Sequence, residues 1–184
     1  MLDVLTVTSA MALFGPLILV MVAFLLRPEF MPAWLSPAMP YVAASIAVAS
    51  VLKAFSERRH ARLAWFLIVV NHTFIALAIA FNADFDVAST FLYLGGIYIA
   101  ALVGVFALEH MRLREGGIDL TRFHGHYYEY PRTSFVVLLA SLGISGFPIT
   151  TAFLGEDLLF AHIGDHQLGL AVLFAVSFVV DGLA

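Results

Sequence analysis

The stretch Leu63 to Phe81, "LAWFLIVVNHTFIALAIAF", carries no charged side chain. A helix crosses a hydrocarbon core of about 30 Å with roughly 20 apolar residues, so this run is long enough to span a bilayer by itself. It does not stand alone. Apolar residues make up 62% of the 184, and charged ones 12%, where a soluble domain carries about 25% charged residues. The chain reads as an all-α integral membrane protein, a single membrane domain over 1–184.

Further spans are expected at Val4–Leu26, Tyr41–Phe55 and Val87–Leu108. The N-terminal run has no basic leader and is too long for a signal peptide, so it reads as the first span. A proline-rich loop, "RPEFMPAWLSPAMP", follows it. The one long polar segment is Glu109 to Arg132, read as a cytoplasmic loop. From Thr133 onward the chain is apolar again, with breaks at Gly146–Pro148 and at "IGDHQ". Proline removes a backbone donor and clashes with the preceding turn, so Ala152 to Ile163 reads as a half-length helix ended by Gly164, before a last run from Leu168. About six transmembrane segments result, one of them broken. Helices broken at membrane depth occur where the freed backbone groups are buried in protein or line a wet cavity, and such breaks recur at ion sites.

Lys and Arg number nine. Lys53, Arg58, Arg59 and Arg62 fall between the second and third spans, and Arg112, Arg114, Arg122 and Arg132 in or beside the long polar segment. The turn between them holds Asp84 and Asp86 and no positive charge. The basic loops are therefore expected on the cytoplasmic side, with the N-terminus also inside, in a membrane expected to be the bacterial inner one. A net charge of -4 gives no basic surface for nucleic acid. Without cysteine, disulfides and thiolate or iron–sulfur sites are excluded within the chain.

The residues that demand explanation are acids in apolar sequence. In "GFPITTAFLGEDLLFAHIG", Glu156 and Asp157 are adjacent and His162 follows. A charge at the bilayer centre costs at least about 2.5–3.5 kcal/mol on insertion scales. Proton or cation handling, a structural ion pair and solvation at an interface are the three readings. His72, beside Asn71, lies near the middle of its span and either titrates or packs as a hydrogen-bonded core residue. Lys53, the single lysine, closes the second span, where its side chain can snorkel to the interface. His162, Asp165 and His166 surround the second break, as shuttle groups or loop caps. Asp181, in "SFVVDGLA", is one more acid in an apolar run. "HGHYYE" offers metal-ligand types in His124, His126 and Glu129, but not at a zinc-motif spacing. Tyr127, Tyr128 and Tyr130 beside it suit an interfacial aromatic belt.

The segment "RTSFVVLLASLGISGFPITTAFLGEDLLF" resembles the broken-helix region of the antiporter-like membrane subunits of complex I and of Mrp-type cation/proton antiporters. "RHARLAWFLIVVNHTFIALAI" is similar to that family's basic residue, Leu-Ala-aromatic run and polar pair, with Asn71–His72 matching the pair. "FLYLGGIYIAALVGVFAL" looks like the next family helix. The resemblance covers the second of the family's two inverted repeats. It implies that Glu156 is the terminal proton site, with His72 and His60 or Lys53 as relay groups. His60 stands where the family has a lysine, and Val87 to Leu108 lacks the lysine often found there. The implied function is that of a membrane subunit in a larger proton-translocating assembly, without a cofactor of its own and not catalytic alone. Other membrane subunits would supply the missing half. Two alternatives are a non-conducting subunit that completes a membrane arm, and one that energises inorganic-carbon uptake.

Overall fold

The computed structural model describes Gly15, Trp34, 36–82, 86–116, Ile118, Thr121, 125–164 and 166–184. The expected first span, most of the proline-rich loop, Asp84, Arg122, His124 and Asp165 lie outside the described residues. Those described form helices and their connections: α1 (Met39–Ser56), α2 (Ala61–Ala80), α3 (Val87–Glu115), the single turn α4 (His126–Glu129), α5 (Pro131–Ile144), α6 (Thr151–Ala161) and α7 (Leu168–Asp181). Among them α1, α2 and α3 are long and apolar enough to cross a membrane, while α5 and α7 are shorter apolar helices. The chain is an all-helical integral membrane protein over these residues.

The helix ends follow from local chemistry. Pro40 stands in the first turn of α1, where its missing N–H costs nothing. Asp86 caps α3 by accepting from the amides of Ala88 and Ser89 at 3.1 and 2.8 Å. Those bonds to Ser89 and Ala88 hold the exposed Asp86 carboxyl below its ordinary range. At the other end Gly116 takes φ +76°, and its N–H donates to Arg112 O. Helix α3 therefore runs past Leu108 to Glu115, so 109–115, expected in the polar loop, are helical. Glu109 stabilises that extension by accepting from Arg112 one turn on and from Arg62 of the neighbouring helix at 3.0 Å.

Both expected breaks have a structural closure. Helix α5 ends with Gly146 at φ +65° and with the Phe147 amide donating to Leu142 O at 3.0 Å, the Schellman arrangement. Pro148 follows, and Thr150 then caps α6 by accepting from the Phe153 amide. At the second break the Gln167 side chain accepts from the Gly164 amide and donates to Asn82 Oδ1, both near 3 Å. Asn82 in turn donates to His162 O at 3.0 Å. This polar knot ties the α6–α7 connection to the C-terminal end of α2.

Helix α2 is the centre of the molecule: apart from Arg62 and Phe66 its residues are buried. α1 covers it on one side and also meets α7, while α3 covers another side and carries α5 and α6 on its own surface. Small residues allow the close approaches, as is usual where lipid removes the hydrophobic drive between helices. The Trp65 indole fits over Gly104 and donates to Ala101 O at 3.0 Å. Gly96 meets Thr151 and Ala152, and Gly155 meets the Tyr93 backbone. A Cβ at Gly96 would lie 2.4 Å from Thr151 Oγ1 and 2.9 Å from Ala152 N, whereas one at neighbouring Gly95 would meet nothing within 4 Å. Gly95→Ala should therefore gain up to about 1 kcal/mol of helix propensity. Gly96→Ala should lose about 1–3 kcal/mol through overpacking. Thermal unfolding of the two variants in detergent should shift in opposite directions.

Candidate functional site

A group of polar side chains lies inside this apolar assembly. Asn71, His72 and Thr73, successive residues of α2, are each fully buried. Thr73 is satisfied locally, donating to Val69 O at 2.8 Å and lying 3.0 Å from the Tyr98 hydroxyl. Asn71 accepts from the Ser177 hydroxyl of α7 through Oδ1, but its Nδ2 has no partner among the described residues. His72 stands between two elements. Its Nδ1 is 2.6 Å from the Tyr93 hydroxyl of α3, and its Nε2 is 3.4 Å from Asp181 Oδ2 at the end of α7. The second contact lacks hydrogen-bond geometry, so among the described residues Nε2 has no hydrogen-bond partner, and neither has Asp181 Oδ1. The Tyr93 and Phe178 rings close over the imidazole, their centroids 5.7 and 6.2 Å away. With the phenol donating to Nδ1, a neutral imidazole carries its proton on Nε2, toward the Asp181 carboxyl.

Glu156 enters from α6. Its carboxyl group rests on the first helix break: a Cβ built on Gly146 would fall 2.2 Å from Oε1 and 2.5 Å from Oε2. Gly146 thus supplies the positive φ that ends α5 and the space that admits the acid. The buried Oε1 has no hydrogen-bond partner among the described residues. Glu156 lies within electrostatic reach of His72 and Asp181. No Lys or Arg pairs with either acid among the described residues. Among the described residues the imidazole of His72 is the basic group that faces Asp181.

The other residues singled out in the sequence are elsewhere. Asp157 is exposed on α6. His162 lies beyond the C-terminal end of α6, with Nδ1 2.6 Å from Leu158 O. Lys53 and His60 meet at the α1–α2 turn, where Glu57 takes the Lys53 ammonium at 2.8 Å and faces His60 at 3.2 Å. Burial alone would raise Glu57, but hydrogen bonds from Lys53, the Arg59 amide and His60 outweigh it and hold the carboxyl below its ordinary range. His126 reaches Glu115 at 2.7 Å, and the described residues hold no group of His, Asp and Glu fit for a metal ion. Asp181 is the residue the sequence undervalues. Its signal is an acid four residues after Ser177 in an apolar run, which puts both on one helix face. Only the packing of α7 on α2 reveals what that face meets.

Two outcomes follow. Tyr93→Phe leaves the buried Nδ1 unpaired and should cost about 1–3 kcal/mol, read as a lower unfolding temperature in detergent with unchanged helicity. Glu57 has a depressed folded pKa, so its contribution is present above the carboxyl's unfolded range and is lost as pH falls. Glu57→Gln should raise hydrogen exchange across 57–60 at neutral pH and match the native chain in acid.

No family model matches the chain, and no solved structure does. Subunit N of NADH-quinone oxidoreductase from Paenibacillus sp. (strain JDR-2) is 28% identical to it over 142 residues, covering 75% of this chain and 27% of that protein. The chain thus spans about a quarter of the length of the curated relative it matches, and its likeness to that subunit is distant.

Proposed function

We propose that the chain is a membrane subunit of a larger proton-translocating complex, related to the antiporter-like subunits of complex I, and that Glu156 and His72 carry protons within it. The observation that carries this reading is the state of the two groups. Among the described residues Glu156 has a buried oxygen without a hydrogen-bond partner, and His72 is fully buried with an Nε2 that faces Asp181 Oδ2 at 3.4 Å without a hydrogen bond. Ionisable groups at such depth are expensive, and groups kept there with incomplete hydrogen bonding suit a task that changes their protonation. The likeness to a subunit of NADH-quinone oxidoreductase supports the same reading.

In this reading about six segments span the bacterial inner membrane, the broken one holding Glu156. The basic loops and the N-terminus face the cytoplasm. Other membrane subunits complete the antiporter-like fold and any redox chemistry is theirs; this chain needs no cofactor. Lys53 and His60, gathered on Glu57 at the basic end of α2, are relay groups toward the cytoplasmic side in this reading. Asp157 and His162 flank Glu156 on the side of the second break.

Glu156→Gln keeps the side chain's size and removes its titration. In the purified complex reconstituted into vesicles, with internal pH followed by a dye, it should slow proton movement about a hundredfold or more, the size expected of a lost proton-transfer group. Full pumping by an intact Glu156→Gln complex would overturn the proposal and leave the chain a structural member of its assembly.

A further inference from the structure

We infer that the cavity where α2 begins and α3 ends binds the phosphate group of an anionic membrane phospholipid, held by Arg59, Arg62 and Arg112. The cavity has a volume of about 190 Å³, and the three arginines stand in its wall with His60, Gly116 and Ile118. They come from separate places in the chain: the connection between α1 and α2, the first turn of α2 and the last turn of α3.

This wall is short of negative charge. Glu109 accepts from both Arg62 and Arg112, so one carboxylate serves two guanidiniums. Arg62 spends one Nη on it, and Arg112 spends Nε and one Nη. Each keeps further N–H donors of the five that a guanidinium owns. The Arg59 amide donates to Glu57, but the Arg59 guanidinium pairs with no carboxylate among the described residues. Glu57 is itself taken by Lys53 and His60. Three guanidiniums against Glu109 leave an excess of two positive charges around the cavity. Helix α2 also starts in this wall without a side-chain cap, and a helix start favours an anion too. Guanidinium forks match phosphate oxygens in pairs.

Size and surroundings select the bearer of the phosphate. Clefts that enclose a whole small molecule run to roughly 300–1,000 Å³, so this smaller one takes a head group and leaves the rest of its ligand outside. Both helices that meet here are long and apolar enough to cross a membrane, which sets their shared basic end at the level of the phospholipid head groups. On the neighbouring face of α3, Leu102, Phe106 and Leu113 are 60%, 73% and 71% exposed and align along the helix. Acyl chains attached to the phosphate can lie along that stripe. A zwitterionic head brings a cation of its own to arginines that already lack partners, whereas an anionic lipid brings none.

Native mass spectrometry of the protein extracted with its native associates tests this, with phosphatidylglycerol, phosphatidylcholine and inorganic phosphate as probes. The unaltered protein should retain phosphatidylglycerol in preference to phosphatidylcholine, a comparison that needs no variant. Arg59 is exposed and holds no ion pair that the fold uses, so Arg59→Gln should fold normally. It should weaken phosphatidylglycerol binding about tenfold or more, the size of a lost hydrogen bond to a charged group. Arg58→Gln removes the same charge one position away, from a guanidinium that lies over the Phe55 ring and outside the cavity, and should leave binding unchanged. Equal retention of the two lipids overturns the inference, as does binding untouched by Arg59→Gln. An equal loss in Arg58→Gln would reduce the effect to general surface charge and overturns it too. Inorganic phosphate that displaces the lipid at equal concentration would make this a site for the free ion, with the same consequence.

Discussion

Helix α2 is enclosed nearly all round, and the rest of the structure answers to that. A helix in lipid satisfies its own backbone, so it can be buried on every side without orphaned amides. Its side chains then choose what surrounds it. Most of α2 demands only apolar contact, but Asn71 and His72 demand partners, and these come from two different helices. Ser177 and Asp181 of α7 sit on one side and Tyr93 of α3 on the other. The polar pair thus fixes the rotation of α7 and α3 about α2 in a way that apolar packing, which tolerates many rotations, does not. Specification of this kind by buried polar groups is known from other helical assemblies.

Small residues set the distances that polar residues leave open. Gly96, Gly104 and Gly155 let α3 approach Trp65 and α6 closely. The outward face of α3 is of another kind: Ile99, Leu102 and Phe106 are each exposed by 60% or more. In water a patch of that breadth would be a liability. Against lipid tails or a neighbouring membrane subunit it needs no cover from this chain.

How much of this is legible in the sequence differs between fold and site. The spans of α1 and α2 and both breaks are visible as apolar length punctuated by proline and glycine, because those signals are local. The end of α3 is not, since Glu109 and the arginines after it look like loop. Their mutual pairing and the Arg62 contact, which keep the helix going, appear only when α2 lies alongside. The site divides the same way. His72 and Glu156 stand out as ionisable groups in apolar sequence. Asp181 carries the same signal, but lying near the end of its apolar run it suits a membrane surface equally well. Its importance comes from a neighbour more than a hundred positions away. Lys53 and His60 lie apart in the sequence, and only the turn between α1 and α2 brings both onto Glu57.

The seat of Glu156 on Gly146 has a steric meaning. The acid rests on the backbone joint between α5 and α6, where Gly146 takes a left-handed φ and a Cβ would fall on the carboxyl. A side chain at this position is thus barred twice, by the backbone and by the acid, and glycine alone meets both demands. The same residue that ends one helix makes the room in which the next helix sets its acid.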